Sequence, residues 1–204
     1  VEEVAAPANS FNYELVCNIS RRVPRTYIRD EIDAATQYTD EDTLIKVFAT
    51  IHGANRIFFH ANGRNMLTIK YFAQRLMHQG YRVFIVGDVA TPAIKEDDAL
   101  VVVSACGEEK NLITAVDTVK KIGNIPVILI TAAEKSTLAE QADVVVKLPV
   151  PVPGSQEDAS IQPIGAQFEQ SVLYIMDVGM SHYFMDRLGI TLGPTENPLH
   201  ANLQ

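Results

Sequence analysis

The chain has 204 residues, 47% of them hydrophobic and 21% charged, with a formal net charge of −8. That suits a globular protein with one sizeable core and excludes a nucleic-acid or anionic-membrane surface as its business, though not a small anionic ligand, which needs only local donors. No apolar run reaches the roughly 20 residues of a membrane span, and the opening VEEVAAPANS lacks the basic segment and apolar core of a secretory signal, so a cytoplasmic protein is expected.

Residues 1 to about 10 read as a lead-in. A helical stretch from Phe11 to Gln37 is expected to break near Pro24. A second helix starts near Asp40, where Asp40, Glu41 and Asp42 supply a cap and first-turn carboxylates; Leu44, Ile45, Val47, Phe48 and Ile51 form its apolar face. Residues 1–39 are thus set apart as an N-terminal extension, and 40–204 as the main domain.

The stretch RIFFHANGRNMLTIKYFAQRLMHQG, Arg56 to Gly80, organises the rest. Ile57-Phe58-Phe59 is a short buried strand, Ala61-Asn62-Gly63 a turn, and Leu67, Ile69, Phe72, Ala73, Leu76 and Met77 recur at near-helical spacing. Further strands are expected at Val83–Val86, Leu100–Val103, Val127–Ile130 and Val144–Val146. Helices are expected at Lys110–Ile122, with Leu112, Ile113, Val116, Val119 and Ile122 inward, and from Ser136. The strands are continuous and β-branched rather than alternating, as in strands covered on both faces. Strand and helix alternate, which predicts a parallel sheet between helical layers. Pro149, Pro151, Pro153 and Pro163 mark a loop, and one long apolar helix is expected from Ala166 to Leu188, either packed partly against another subunit or buried wholly in its own domain.

Two loops at the carboxyl ends of strands offer anion sites. The first holds Asn62, Gly63, Arg64 and Asn65; the second holds Ser104, Cys106, Gly107, Glu108, Lys110 and Asn111. Free amides of a helix start favour an anion, and Arg64 or Lys110 adds charge. Neither loop fits the Walker or dinucleotide patterns, and turns need such glycines in any case. Cys17 and Cys106 are too far apart in sequence to suggest a disulfide framework or metal site. Beside a helix start, Cys106 is either a thiol of lowered pKa or a small buried residue.

The segments RIFFHANGRN, FAQRLMHQGYRVFIVGD, TPAI, VVVSACGEE, QPIGAQFEQ and HANLQ resemble, in order and spacing, the 6-phospho-3-hexuloisomerases of the sugar isomerase (SIS) superfamily, over roughly 40–204. The resemblance implies an α/β three-layer sandwich with a five-stranded parallel sheet of flavodoxin-like type. It implies isomerisation of 3-hexulose 6-phosphate to fructose 6-phosphate without metal or cofactor, in a homodimer or homotetramer. By the same resemblance Glu169 is the candidate base, and His200 and His78 are candidates for hydroxyl proton transfer. The departures are local. Where the family reads GAGRSG, SGSGET and MGS, this chain has Ala61-Asn62-Gly63-Arg64-Asn65-Met66, Ser104-Ala105-Cys106-Gly107-Glu108-Glu109 and Ile164-Gly165-Ala166. Hydroxyls are lost, and Glu109 adds a negative charge where a phosphate should dock. A non-catalytic sugar-phosphate-binding or regulatory protein of the same fold is therefore the alternative expectation.

Overall fold

The computed structural model describes residues 25–37, 39–155 and 160–179. Helix α1 (Arg25–Thr36) opens the described residues and is followed by α2 (Glu41–Gly53). The α/β core comprises β1 (Ile57–Ala61), α3 (Gly63–His78), β2 (Val83–Ile85), β3 (Ala99–Val103), α4 (Lys110–Ile122), β4 (Val127–Thr131), α5 (Thr137–Gln141) and β5 (Val144–Lys147). Helix α6 (Ala166–Leu173) continues into a π-helical turn over Tyr174–Gly179. At the start of α2 the Asp40 carboxylate accepts the Thr43 amide at 3.0 Å and the Thr43 hydroxyl at 2.5 Å. The hydroxyl bond is the main reason its pKa is lowered.

The five strands are parallel, in the order β2-β1-β3-β4-β5. Alternation sends Ile57, Phe59, Ala61, Val101, Val103, Ile128 and Ile130 into one core, under α2, α3 and α6. Phe58, Leu100, Val102, Val127 and Leu129 point into the other, under α4 and α5. This is the expected three-layer sandwich. The inward stripes are narrower than expected: Ile45, Leu67 and Ile122 are exposed. Ile45 and Leu67 lie off the stripes of Leu44-Val47-Ile51 and Ile69-Phe72-Ala73-Leu76, and Ile122 lies in the last turn of α4.

The chain after Ala166 departs from one uniform α-helix, because Tyr174–Gly179 takes π-helical hydrogen bonding. That turn carries the buried Asp177, whose carboxylate receives Arg75 Nε at 2.5 Å and Nη2 at 2.9 Å. Expectations for residues 1–24 and beyond 179 lie outside the described residues.

The connection from β2 to β3 has no helix, so something else must hold it. Asp98, fully buried, accepts Arg56 Nε at 2.9 Å, Arg56 Nη2 at 2.6 Å and the Lys95 amide at 2.7 Å. Arg56 Nη2 also donates to the Ala93 carbonyl at 3.0 Å, and the guanidinium lies 5.3 Å from the Phe58 ring centroid and 5.9 Å from that of Phe84. Removing one member of a buried, fully bonded pair strands the other, whereas an exposed pair is worth little. Asp98→Ala is therefore expected to lower the urea midpoint clearly more than Lys120→Ala, which opens only the exposed Lys120–Asp143 contact; equal shifts would contradict this assignment.

Candidate active site

Chain direction reverses across the sheet between β1 and β3. From β1 the chain moves outward through α3 to β2; from β3 it moves the other way through α4 to β4. The loops after β1 and β3 therefore part above their carboxyl ends, leaving the crevice in which open α/β sheets bind ligands. These are the two loops singled out from sequence. They are stitched together: Asn62 Nδ2 donates to Asn111 Oδ1 at 2.9 Å, and Asn111 Nδ2 donates to Asn62 Oδ1 at 2.7 Å. Gly63 starts α3 with φ +54°, in the left-handed region.

Two ion pairs join α3 to α6 and to the π-helical turn that continues it, and one of them lies at this edge. Arg64, in the first turn of α3, donates Nε to Glu169 Oε2 at 2.6 Å. Arg75, in the last turn, binds Asp177. First turn meets first turn and late turn meets late turn, so α3 and α6 run side by side in the same direction. Glu169 is thus at the functional edge, its side chain 13% exposed, while that of Arg64 is 73% exposed. The carboxylate sits in the first turn of its helix, where the dipole favours negative charge.

The loop after β3 is anchored from several sides. Ala132 and Ala133 amides donate to the Ala105 carbonyl at 3.2 and 3.1 Å, and the Leu138 amide donates to the Gly107 carbonyl at 3.1 Å. The Glu108 carboxylate accepts the Thr137 amide and hydroxyl, each at 2.8 Å, so it faces the start of α5. Those bonds, the amide's first, lower the Glu108 pKa. Ser104 is fully buried; its hydroxyl accepts the Gly107 amide at 2.6 Å and donates to the Glu109 carboxylate. Burial pushes the Cys106 thiol up and the nearby Glu109 charge adds to it, so Cys106 is not the lowered-pKa thiol that its place beside a helix start allowed. Lys110 opens α4 as an exposed cation, and Asn65, partly buried, lies in the first turn of α3.

Residues 50–174 match the SIS domain family. The chain belongs to that family. It is 32% identical over 183 residues to the 3-hexulose-6-phosphate isomerase of Bacillus subtilis, covering 87% of this chain and 95% of that one. With the 3-hexulose-6-phosphate isomerase of Methylomonas aminofaciens the identity is 34% over 163 residues, covering 78% and 86%. A Methanococcus jannaschii protein, whose crystal structure led to an inferred 3-hexulose-6-phosphate isomerase function, matches with a TM-score of 0.74 at 28% identity, over 88% of this chain and 98% of that one.

Within this SIS fold two of the candidate catalytic residues, Glu169 and His78, stand apart. Glu169 is at the crevice. His78 ends α3, some 14 residues beyond Arg64, which at 1.5 Å per residue is about 20 Å down the helix, at the opposite edge of the sheet. His200 lies outside the described residues. An imidazole that the sequence reading passed over stands closer. His60 is the penultimate residue of β1, paired in register with Val102 of β3 and directed by alternation toward the α4 face. Burial lowers its pKa, which keeps it neutral at pH 7. The signal in the sequence was a histidine at the end of an otherwise apolar strand, one residue before a glycine-containing turn.

Gly107 has φ +71°, and a Cβ there would lie 2.0 Å from Ser136 Oγ and 2.4 Å from Ser136 Cβ. Gly107→Ala is expected to cost at least about 2 kcal/mol in denaturant unfolding, from the backbone penalty and the overlap together; an unchanged midpoint would refute that packing. His60 gives a pH test. Its folded pKa is depressed, so the stability tied to it is present above the unfolded value of about 6.5 and is lost as pH falls through the folded one. By NMR one imidazole should titrate below about 6.5, and that titration should vanish in His60→Gln.

Proposed function

We propose that this SIS-family chain is a cytoplasmic sugar-phosphate isomerase that moves a carbonyl between C3 and C2 of a hexulose 6-phosphate, turning 3-hexulose 6-phosphate into fructose 6-phosphate. The observation that carries the reading is the Glu169 carboxylate, positioned by Arg64 at the crevice between β1 and β3. The named relatives support the substrate class. Among the described residues no helix is long and apolar enough to cross a membrane.

The reaction needs a proton removed from C2, an enediol between C2 and C3, and a proton delivered to C3. The hydroxyl proton on O2 leaves as one is gained on O3, so no redox partner is required. In this scheme Glu169 takes the C2 proton and returns it at C3. The exposed guanidinium of Arg64 orients the carboxylate and faces the oxygen charge that develops in the enediolate. The phosphate docks at the second loop, with Ser104, Gly107, Lys110 and Asn111 around it and Asn62 bridging from the first. Its binding fixes the reacting carbons in place. His200, in the tail, handles the hydroxyl protons, and the tail serves the site of a neighbouring copy in a homodimer or homotetramer. His78, at the far end of α3, has no part in this scheme. A second reading, a phosphosugar-binding protein without turnover, is favoured by one contact: the Ser104 hydroxyl is engaged by Glu109 rather than turned to an incoming anion.

Turnover of 3-hexulose 6-phosphate, wild type beside Glu169→Gln, separates the two. The isomerase reading expects wild-type turnover and a loss of about 10²- to 10⁴-fold in kcat in the variant. A folded wild type that binds fructose 6-phosphate yet turns over nothing would establish the binding protein instead.

A further inference from the structure

Three carboxylates surround the mouth of the crevice, and two are committed elsewhere. Glu108 caps the start of α5 through Thr137, and Glu169 is paired with Arg64. The third, Glu109, immediately precedes α4, is partly buried, and accepts the hydroxyl of the fully buried Ser104. The same Ser104 oxygen accepts the Gly107 amide, so this buried hydroxyl is satisfied within the chain and offers its proton to a carboxylate. The Glu109 side chain caps no amide of α4, but its negative charge holds the buried Ser104 hydroxyl that an anion in this loop would otherwise take.

We propose that Glu109 is the specificity-determining residue of this site: its carboxylate occupies the place of the substrate's phosphate, so a phosphate binds only by displacing it. The proposal rests on the reading above, in which the loop after β3 receives the phosphate. It follows that part of the phosphate's binding energy goes into displacing Glu109, so the wild type holds a phosphosugar more weakly than a loop with a hydroxyl at 109 would. A dianion entering the loop must break the Ser104–Glu109 bond and then sit near the displaced carboxylate, whereas an unphosphorylated sugar meets neither cost at that end. The exposed cations Arg64 and Lys110 offset part of the repulsion, but Arg64 is already shared with Glu169. Charge and occupancy are separable by substitution. Glu109→Gln keeps the side chain's size and its bond to Ser104 while removing the charge. Glu109→Ser removes both and returns a hydroxyl to the position.

The experiment is calorimetric titration of the full chain with fructose 6-phosphate and, separately, with fructose, for wild type, Glu109→Gln and Glu109→Ser. Fructose 6-phosphate affinity is expected to rise at least about tenfold in Glu109→Ser, with a smaller gain in Glu109→Gln, while fructose affinity stays level. A general change in folding would shift both ligands together, and the near-isosteric Glu109→Gln keeps the test open should Glu109→Ser fold poorly. Equal fructose 6-phosphate affinity in all three proteins would overturn the role of Glu109 and leave the phosphosugar reading standing. No binding of fructose 6-phosphate by any of the three would overturn both.

Discussion

The functional edge depends on β1 lying beside β3. The ladder runs from Ile57 opposite Ala99 to Ala61 opposite Val103, so both strands end level. Because the chain leaves β1 in one direction and β3 in the other, the loops they feed cannot close over each other. The result is a crevice lined by two helix starts and bridged by the reciprocal Asn62–Asn111 amides. A one-residue slip of β1 would exchange Phe58 for its neighbours Ile57 and Phe59 across two separate cores. Hydrophobic burial thus enforces the register that positions the polar loops.

The second constraint is the pairing of α3 with α6. Apolar contact from Phe168, Val172, Ile175 and Met176 buries α6, but such contact alone sets its sliding position loosely. Arg64–Glu169 and Arg75–Asp177 add two directional anchors, one near each end. The inner anchor, on the buried Asp177, is the better shielded. It lies on the π-helical turn, where altered hydrogen bonding changes which side chains face inward. The outer anchor places a carboxylate beside an exposed guanidinium at the crevice.

The loop after β3 is held in a different way: its polar groups bond to neighbouring elements of the fold. Glu108 serves α5, the Ala105 and Gly107 carbonyls serve the chain after β4, and Ser104 serves Glu109. A loop whose groups are already bonded within the fold is preorganised, which costs little on binding.

The layer order, the parallel sheet and the two loops that matter were legible in the residues alone. Those signals are local: β-branched runs in Ala99–Val103 and Val127–Thr131, helical spacing in Ile69, Phe72, Ala73 and Leu76, and a capping aspartate at Asp40. The sequence also carried the resemblance that singled out Glu169. It could not say which polar groups meet, because partners such as Arg75 and Asp177 are 102 residues apart and neither is remarkable where it stands. Nor could it separate His78 from Glu169, since the length of α3 matters only once α6 is known to lie beside its start. That Glu108 turns to α5 while Glu109 turns to Ser104 emerges from the folded arrangement. Adjacent residues at a loop–helix junction diverge according to which neighbours the fold brings to each.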